Sequence, residues 1–193
     1  MCTGLSSLIC PSSGELVRQR ALHAACGECL AEPIAPETFH ITLHDLLSGP
    51  PDALDAAQLA QAGRRAKEVL LRIRGRFLEE IHLRPVSIFN MVNTSLVAGF
   101  APATEADCAT LMGLYEAFQQ VVRLPYHLTP HATIAYFRLG RYGRDQMARL
   151  QSAIDGATAI DAGRSIRLEL SRLHYCDFED MNHYWREGAA PGN

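Results

Sequence analysis

The sequence predicts a single domain of mixed helices and strands. At 193 residues, with 48% of them apolar, the chain is long enough to bury one substantial core. Helical and strand-like patterns alternate along it, and a helix followed by a strand that carries the motif histidine, apolar, threonine, apolar occurs twice. We therefore expect one domain over residues 1–193, organised as a coarse repeat.

Composition and charge argue against several classes of protein. A net charge of −3 is unlike that of a protein that follows long duplex nucleic acid through its phosphates, although a small phosphate substrate fits it. No stretch approaches 18 uninterrupted apolar residues, and the first residues lack a basic segment followed by a long apolar one. We expect a cytoplasmic protein with no membrane partner. We also expect its 6 irregularly spaced cysteines to be reduced thiols.

The first half of the chain predicts two helices around a strand. Ser12 and Glu15 have the spacing of a capping box, which predicts a helix start after Pro11, and an apolar stripe continues to Leu30. Residues 39–43 are rich in strand formers. A second amphipathic pattern begins after Pro51 and fades between residues 76 and 80.

The second half predicts a hairpin or bulged strand, then helices and strands in turn. Residues 85–92 and 95–100 are strand-like, and Asn93-Thr94 separates them. Thr104 and Asp107 indicate the start of a helix that ends before Pro125. We expect the second motif strand at about residues 131–138, a short helix around residues 147–154 and a last strand within residues 165–178.

The most informative feature is the repeated motif. It reads His40-Ile41-Thr42-Leu43 and, 91 positions later, His131-Ala132-Thr133-Ile134. In a strand, residues i and i+2 point to the same face, so each motif presents one imidazole beside one hydroxyl. Two such strands facing each other would supply two acid/base groups and two hydrogen-bond donors.

With these motifs the chain resembles the 2H phosphoesterase superfamily, in its 2′-5′ RNA ligase-like or cyclic phosphodiesterase branch. The resemblance also covers residues 37–39, which lead into the first motif, residues 126–130, which lead into the second, and the order of helices and strands. It implies an α+β fold of two pseudo-symmetric lobes. Each lobe would carry an antiparallel sheet that faces a central cleft, with helices on the outside.

The motifs suit hydrolysis of a phosphodiester without a metal or other cofactor. One neutral histidine takes a proton from the attacking water and one charged histidine gives a proton to the leaving oxygen, so His40 and His131 are the candidate catalytic pair. Thr42 and Thr133 would bind non-bridging phosphate oxygens. The expected substrate is a nucleotide or short RNA with a 2′,3′-cyclic or 2′-5′ phosphodiester, and the sequence leaves open which histidine is the acid.

Two other interpretations remain open at this stage. A non-catalytic module would use the same cleft to bind a nucleotide or an RNA end. A metal-dependent hydrolase would use His40, His44 and His131 as ligands, but apart from Asp45 no nearby carboxylate has the spacing of a ligand.

Four further residues are weaker site candidates. His44 shares the strand face of His40 and Thr42, where it would either extend the cleft or be a solvent-facing or supporting histidine. Tyr136 reaches the face of Thr133 only if a bulge intervenes, which favours packing over base stacking. Arg138 and Arg141 follow the second motif strand, where they would hold a phosphate or a base, or lie in a solvated turn.

Cys26 and Cys29 form a Cys-x-x-Cys pair that suggests zinc or redox chemistry at first sight. Both lie on the apolar stripe of the first helix, and no second pair completes a zinc site. We therefore predict that both thiols are part of the core.

Overall fold

The computed structural model describes residues 2–8, 13–47, 55–74, 80–160, 165–180 and 182–186. Within them the chain forms four α-helices and eight strands. The helices are α1 (Ser13–Cys26), α2 (Ala56–Arg74), α3 (Glu105–Gln119) and α4 (Arg144–Ala159). The strands are β1 (Cys2–Leu8), β2 (His40–Leu47), β3 (Glu80–Met91), β4 (Ser95–Pro102), β5 (His131–Tyr136), β6 (Ile166–Glu169), β7 (Leu173–Asp180) and β8 (His183–Arg186).

All strands belong to one antiparallel sheet in the order β6-β3-β4-β5-β2-β1-β7-β8. The two central strands, β2 and β5, carry the motifs and are joined at one residue pair, Ile41 opposite Ala132. On either side of this narrow junction lies a four-stranded half. The fold is therefore the expected α+β arrangement, with its two halves hydrogen-bonded to each other through a single pair.

The helices pack on the sheet in two pairs. α1 packs on α4 and contacts β5, while α4 contacts β3. α2 and α3 contact each other and both contact β2. α3 also contacts β3 and β4, so the pair of α2 and α3 extends across the junction into the other half of the sheet.

The order of elements repeats along the chain at the spacing of the motifs. β1, α1, β2, α2 and β3 are followed by β4, α3, β5, α4 and β7, with the short β6 added before β7. Because β3 pairs with β4 and β7 pairs with β1, each half of the sheet contains strands from both repeats. The two repeats therefore exchange one strand each.

The buried core lies between the sheet and the helices. Residues of the motif strands that point away from the motif histidines belong to it, including Ile41, Leu43, Ala132 and Ile134, all 5% exposed or less. A strand that alternates in this way presents its polar set, His40 with Thr42 and His131 with Thr133, to the opposite face.

Several predicted boundaries are corrected by the structure. β2 continues to Leu47, four residues beyond the predicted end. A bulge at Leu43 shifts the alternation of buried and exposed residues, and the strand stays paired with β1 beyond it. β3 begins at Glu80, five residues before the predicted start, where it pairs with β6. β5 ends at Tyr136, two residues early, because Phe137 forms only an isolated bridge with Leu30.

The ends of the first helix and of the last predicted strand differ as well. α1 ends at Cys26, and Gly27–Cys29 forms a 3₁₀ turn that keeps Cys29 and Leu30 buried. The last predicted strand is two strands, β6 and β7, because a 3₁₀ turn at Leu170–Arg172 interrupts it. The predicted capping box at Ser12 lies outside the described residues, whereas the Thr104–Asp107 capping box is present.

Candidate active site

The two motif strands are bulged at equivalent positions. In β2, Thr42 pairs with Ser6 and His44 pairs with Leu5, so Leu43 is an extra residue. In β5, Thr133 pairs with Val97 and Ala135 pairs with Leu96, so Ile134 is extra. A bulge changes the face to which the following side chains point. Leu43 and His44, like Ile134 and Ala135, are consequently both buried.

The junction between β2 and β5 pairs each motif with the other. Continuing the antiparallel register from Ile41 and Ala132 by one residue sets His40 opposite Thr133 and Thr42 opposite His131. Side chains of directly opposed residues lie on the same face with Cβ atoms about 5 Å apart. All four motif residues line one cavity of about 670 Å³, which we call the cleft.

Both histidines are oriented by the backbone just before their strands. Nδ1 of His40 donates to the carbonyl oxygen of Thr38 at 2.7 Å, and Nδ1 of His131 donates to that of Thr129 at 2.6 Å. A carbonyl oxygen only accepts, so Nδ1 carries a proton in both rings. Nε2 is then the atom at which each imidazole gains or loses a proton.

The two imidazoles differ in burial. His40 is 8% exposed, whereas His131 is half-buried. Burial lowers the pKa of His40, and the nearby His131 lowers it further, while the hydrogen bond to Thr38 and the carboxylate of Asp45 act in the opposite direction. Burial therefore favours the neutral form of His40 near pH 7.

Asp45 and Tyr136 occupy equivalent places after the two bulges, and both line the cleft. The Tyr136 side chain is half-buried, and burial raises the pKa of its phenol to about 12, against a smaller lowering by the Thr133 hydroxyl. In a regular strand the Tyr136 side chain would point away from the face of Thr133, as the sequence predicts. Since the bulge at Ile134 is present, the ring lies beside the motif residues.

His44 is turned toward α3 by the bulge at Leu43 and does not share the face of His40 and Thr42. Its ring packs against Tyr115 at 5.2 Å and Phe118 at 6.2 Å between centroids. It is 1% exposed, and neither ring nitrogen has a hydrogen-bond partner of good geometry among the described residues. The ring still borders the inner end of the cleft.

The segment between α3 and β5 forms one wall of the cleft, from Leu124 to Thr129. The Tyr126 hydroxyl donates to Oδ2 of Asp45 at 2.9 Å, and the Tyr115 hydroxyl donates to the backbone carbonyl of Tyr126. The sequence patterns did not indicate Tyr126, Asp45 or the exposed His127 as cleft residues. A loop has no periodicity that predicts where its side chains point.

The remaining candidates lie outside the cleft. Arg138 is exposed beside a second cavity on the far side of Tyr136, and Arg141 is exposed in the loop that follows. Cys26 and Cys29 are buried, as predicted, and burial raises the pKa of the Cys26 thiol to about 11. Among the described residues, no three His, Cys, Asp or Glu side chains come together as metal ligands. No helix in the described segments has the length and apolar character to cross a membrane.

Comparisons with known proteins show similarity at the level of structure. No protein-family model and no curated protein matches the chain. A conserved protein of unknown function from Agrobacterium tumefaciens, ATU0111, aligns with a TM-score of 0.66 and 17% identity over 96% of this chain and 83% of its own. TT0787 of Thermus thermophilus aligns with a TM-score of 0.52 and 16% identity over 97% and 95%.

A third solved structure is that of a phosphoesterase, with a TM-score of 0.51 and 12% identity over 96% of this chain and 94% of its own. At such identities these likenesses show a shared fold. The chain therefore has the same α+β fold, over almost its whole length, as these three proteins.

Proposed function

We propose that the protein is a metal-independent phosphodiesterase that hydrolyses a 2′,3′-cyclic or 2′-5′ phosphodiester of a nucleotide or short RNA. The observation that carries this proposal is the convergence of the two motifs, since both histidines and both threonines line one cleft and their strands join at Ile41 and Ala132. The resemblance of the motifs to the 2H phosphoesterases supports it. The shared fold with a phosphoesterase is consistent with it.

The difference in burial between His40 and His131 supports an assignment of one as the base and the other as the acid. Because burial keeps His40 neutral, Nε2 of His40 takes a proton from the attacking water. The water oxygen bonds to phosphorus as the bond from phosphorus to the ribose oxygen breaks, and Nε2 of protonated His131 gives that oxygen its proton. The pair ends with its protons exchanged, and solvent restores the starting state.

Thr42 and Thr133 would stabilise the transition state from either side. Each hydroxyl lies beside the other motif's histidine and can donate to a non-bridging phosphate oxygen as its charge grows. Two imidazoles and two hydroxyls supply both proton transfers and the charge stabilisation, so the scheme requires no metal. A reducing, cytoplasmic setting is part of the proposal, supported by the buried free thiols of Cys26 and Cys29.

The test is turnover of 2′,3′-cyclic AMP and of 2′-5′-linked diadenosine monophosphate in excess EDTA. We expect His40→Ala and His131→Ala each to lower kcat/KM by at least about 100-fold, the size of a general acid or base contribution. His82→Ala is the matched control, because His82 is exposed on β3 and does not line the cleft.

Three results would overturn the proposal. They are activity that survives both changes, activity that EDTA abolishes and a defined metal restores, and tight binding without turnover. The last result would identify a nucleotide-binding module that uses the same cleft.

A further inference from the structure

A second groove adjoins the cleft and has no role in the proposed chemistry. Its volume is about 600 Å³, close to that of the cleft, and both lie in the usual size range of small-molecule sites. Thr94 and Tyr136 line both cavities. Tyr136 lies no more than about 10 Å along β5 from Thr133, so a molecule bound at the motifs extends into the second groove without a long linker.

The lining of the second groove is apolar and aromatic, with a few polar groups. Phe137 and Tyr142 have ring centroids 6.5 Å apart, and Leu139 and Met147 are exposed at 100% and 50%. Asn90 and Asn93 supply amide groups at the end of the β3–β4 hairpin. Large exposed apolar side chains beside amides provide a surface for a planar base and hydrogen bonds for its edge.

The wall after β5 is held in place by hydrogen bonds. The backbone N–H of Arg138 donates to the carbonyl oxygen of Cys29 at 2.9 Å, and the Tyr142 hydroxyl approaches the same oxygen at 3.0 Å. Nε of Arg138 donates to the carbonyl oxygen of Leu30 at 3.3 Å. On the opposite side Nδ2 of Asn90 donates to Oδ1 of Asn93 at 2.8 Å. The groove is therefore largely preformed, which reduces the entropy lost on binding.

The charge of this wall suits a phosphate-bearing ligand. Residues 137–147 carry Arg138, Arg141 and Arg144 against one carboxylate, Asp145, in a chain whose net charge is −3. In the described residues only Nε of the Arg138 guanidinium has a protein acceptor, so its two terminal nitrogens remain available to a ligand. Arginine suits phosphate because its planar fork donates two parallel hydrogen bonds.

We propose that the second groove binds the nucleoside on the far side of the scissile phosphodiester. The preferred substrate then contains two nucleosides joined by a phosphodiester, and a mononucleotide cyclic phosphate fills the cleft alone. This inference rests on the proposed function, because it requires the phosphodiester to lie at His40 and His131. Continuity of the two cavities at Tyr136, the exposed apolar side chains and the local positive charge favour a nucleoside over a peptide.

The experiment compares kcat and KM for 2′-5′-linked diadenosine monophosphate and 2′,3′-cyclic AMP in the full chain and in Leu139→Glu. Leu139 is fully exposed, so the change does not disturb folding. We expect KM for the dinucleotide to rise about tenfold, the size of one lost base contact, while kinetics with the cyclic mononucleotide stay within about twofold. Leu71→Glu is the matched control, because Leu71 is 69% exposed on α2, away from the groove.

A second variant, Arg138→Gln, tests the charge. It should raise KM for the dinucleotide several-fold and weaken its dependence on salt. Unchanged dinucleotide kinetics in both variants would overturn the inference. An equal loss with both substrates would also overturn it, because the loop would then act on the whole cleft.

If the wild-type chain turns over neither substrate, the proposed function fails and equilibrium titration decides the inference. Tighter binding of the dinucleotide than of the cyclic mononucleotide, with the difference lost in Leu139→Glu, would support the second site. Equal binding of both ligands, or binding unaffected by Leu139→Glu, would overturn it.

Discussion

At the scale of single residues, the two motif histidines share a tautomer and differ in environment. Each Nδ1 donates to the carbonyl oxygen two residues earlier, so the backbone aims both rings in the same way. His40 is more deeply buried than His131, and under the proposed mechanism this asymmetry assigns the base to His40 and the acid to His131. The sequence motifs alone are identical in pattern and carry no such information.

The proximity of the two rings predicts coupled titration. Because a charged His131 lowers the pKa of His40, His131→Gln should raise the pKa of His40 toward its ordinary value, and burial should keep it below that value. NMR titration of the His40 ring in the two chains measures this shift. His82→Gln should leave the His40 titration unchanged. A His40 pKa that falls, or does not move, in His131→Gln would contradict the arrangement.

At the scale of secondary structure elements, the sequence predicted the two motif strands but not the bulges in them. The strand propensity and the matched motifs predicted a strand at each motif and that the two histidines share a cleft. β2 nevertheless runs four residues beyond its predicted end, and β5 stops two residues short of its own. A bulge depends on pairing with a neighbouring strand. β2 pairs with β1 and β5 pairs with β4, and in each case a helix separates the two strands along the chain, so no local pattern reveals their register. The positions of His44 and Tyr136 depend on those bulges and for this reason differed from the expectation of a regular strand.

Close packing beside β5 makes Gly99 a structural requirement of the site. Gly99 pairs with His131 across β4 and β5, and a Cβ atom there would lie 2.5 Å from Cε1 of Phe89. We expect Gly99→Ala to lower the free energy of unfolding by about 1–3 kcal/mol, because the ring must move, and to lower kcat/KM because His131 is its direct neighbour.

Denaturant unfolding and steady-state kinetics measure the two effects of Gly99→Ala. Gly113→Ala is the control, since a Cβ atom at that helical position meets nothing within 4 Å. It should stabilise the chain by about 0.5–1 kcal/mol. Phe89→Leu should reduce the cost of Gly99→Ala in the double variant if the clash is the cause. Additive effects would show that another contact limits the site.

At the scale of the whole molecule, the exchanged strands link the two repeats. β3 and β7 each complete the half of the sheet that the other repeat begins, so both halves form only when the whole chain folds. The single pair between β2 and β5 then brings the two motifs together at the centre. Local sequence patterns do not predict long-range strand pairing of this kind, whereas the recurrence of a helix followed by a motif strand did predict the repeat.

Burial of imidazoles across both halves makes the stability of the whole fold sensitive to acid. Burial is the main cause that lowers the pKa of His23, His40 and His44. Each group therefore binds a proton more readily in the unfolded chain than in the folded one. The unfolded state gains these protons as the pH falls below the ordinary histidine value of about 6.5, so the free energy of unfolding decreases in that range. Each group adds at most about 1.4 kcal/mol per pH unit to the slope.

His44 gives the sharpest test of this sensitivity, because its ring is packed against Tyr115 and Phe118 and neither nitrogen has a good partner among the described residues. We expect His44→Phe to flatten the decrease in the free energy of unfolding between pH 6.5 and 5, and to add about 1 kcal/mol at pH 7 by removing unpaired buried nitrogens. His44→Leu distinguishes this effect from overpacking by the larger ring. Urea unfolding at several pH values measures the slope, with His82→Phe as the exposed control. A slope identical to that of the wild-type chain in both variants would show that His44 does not titrate with unfolding.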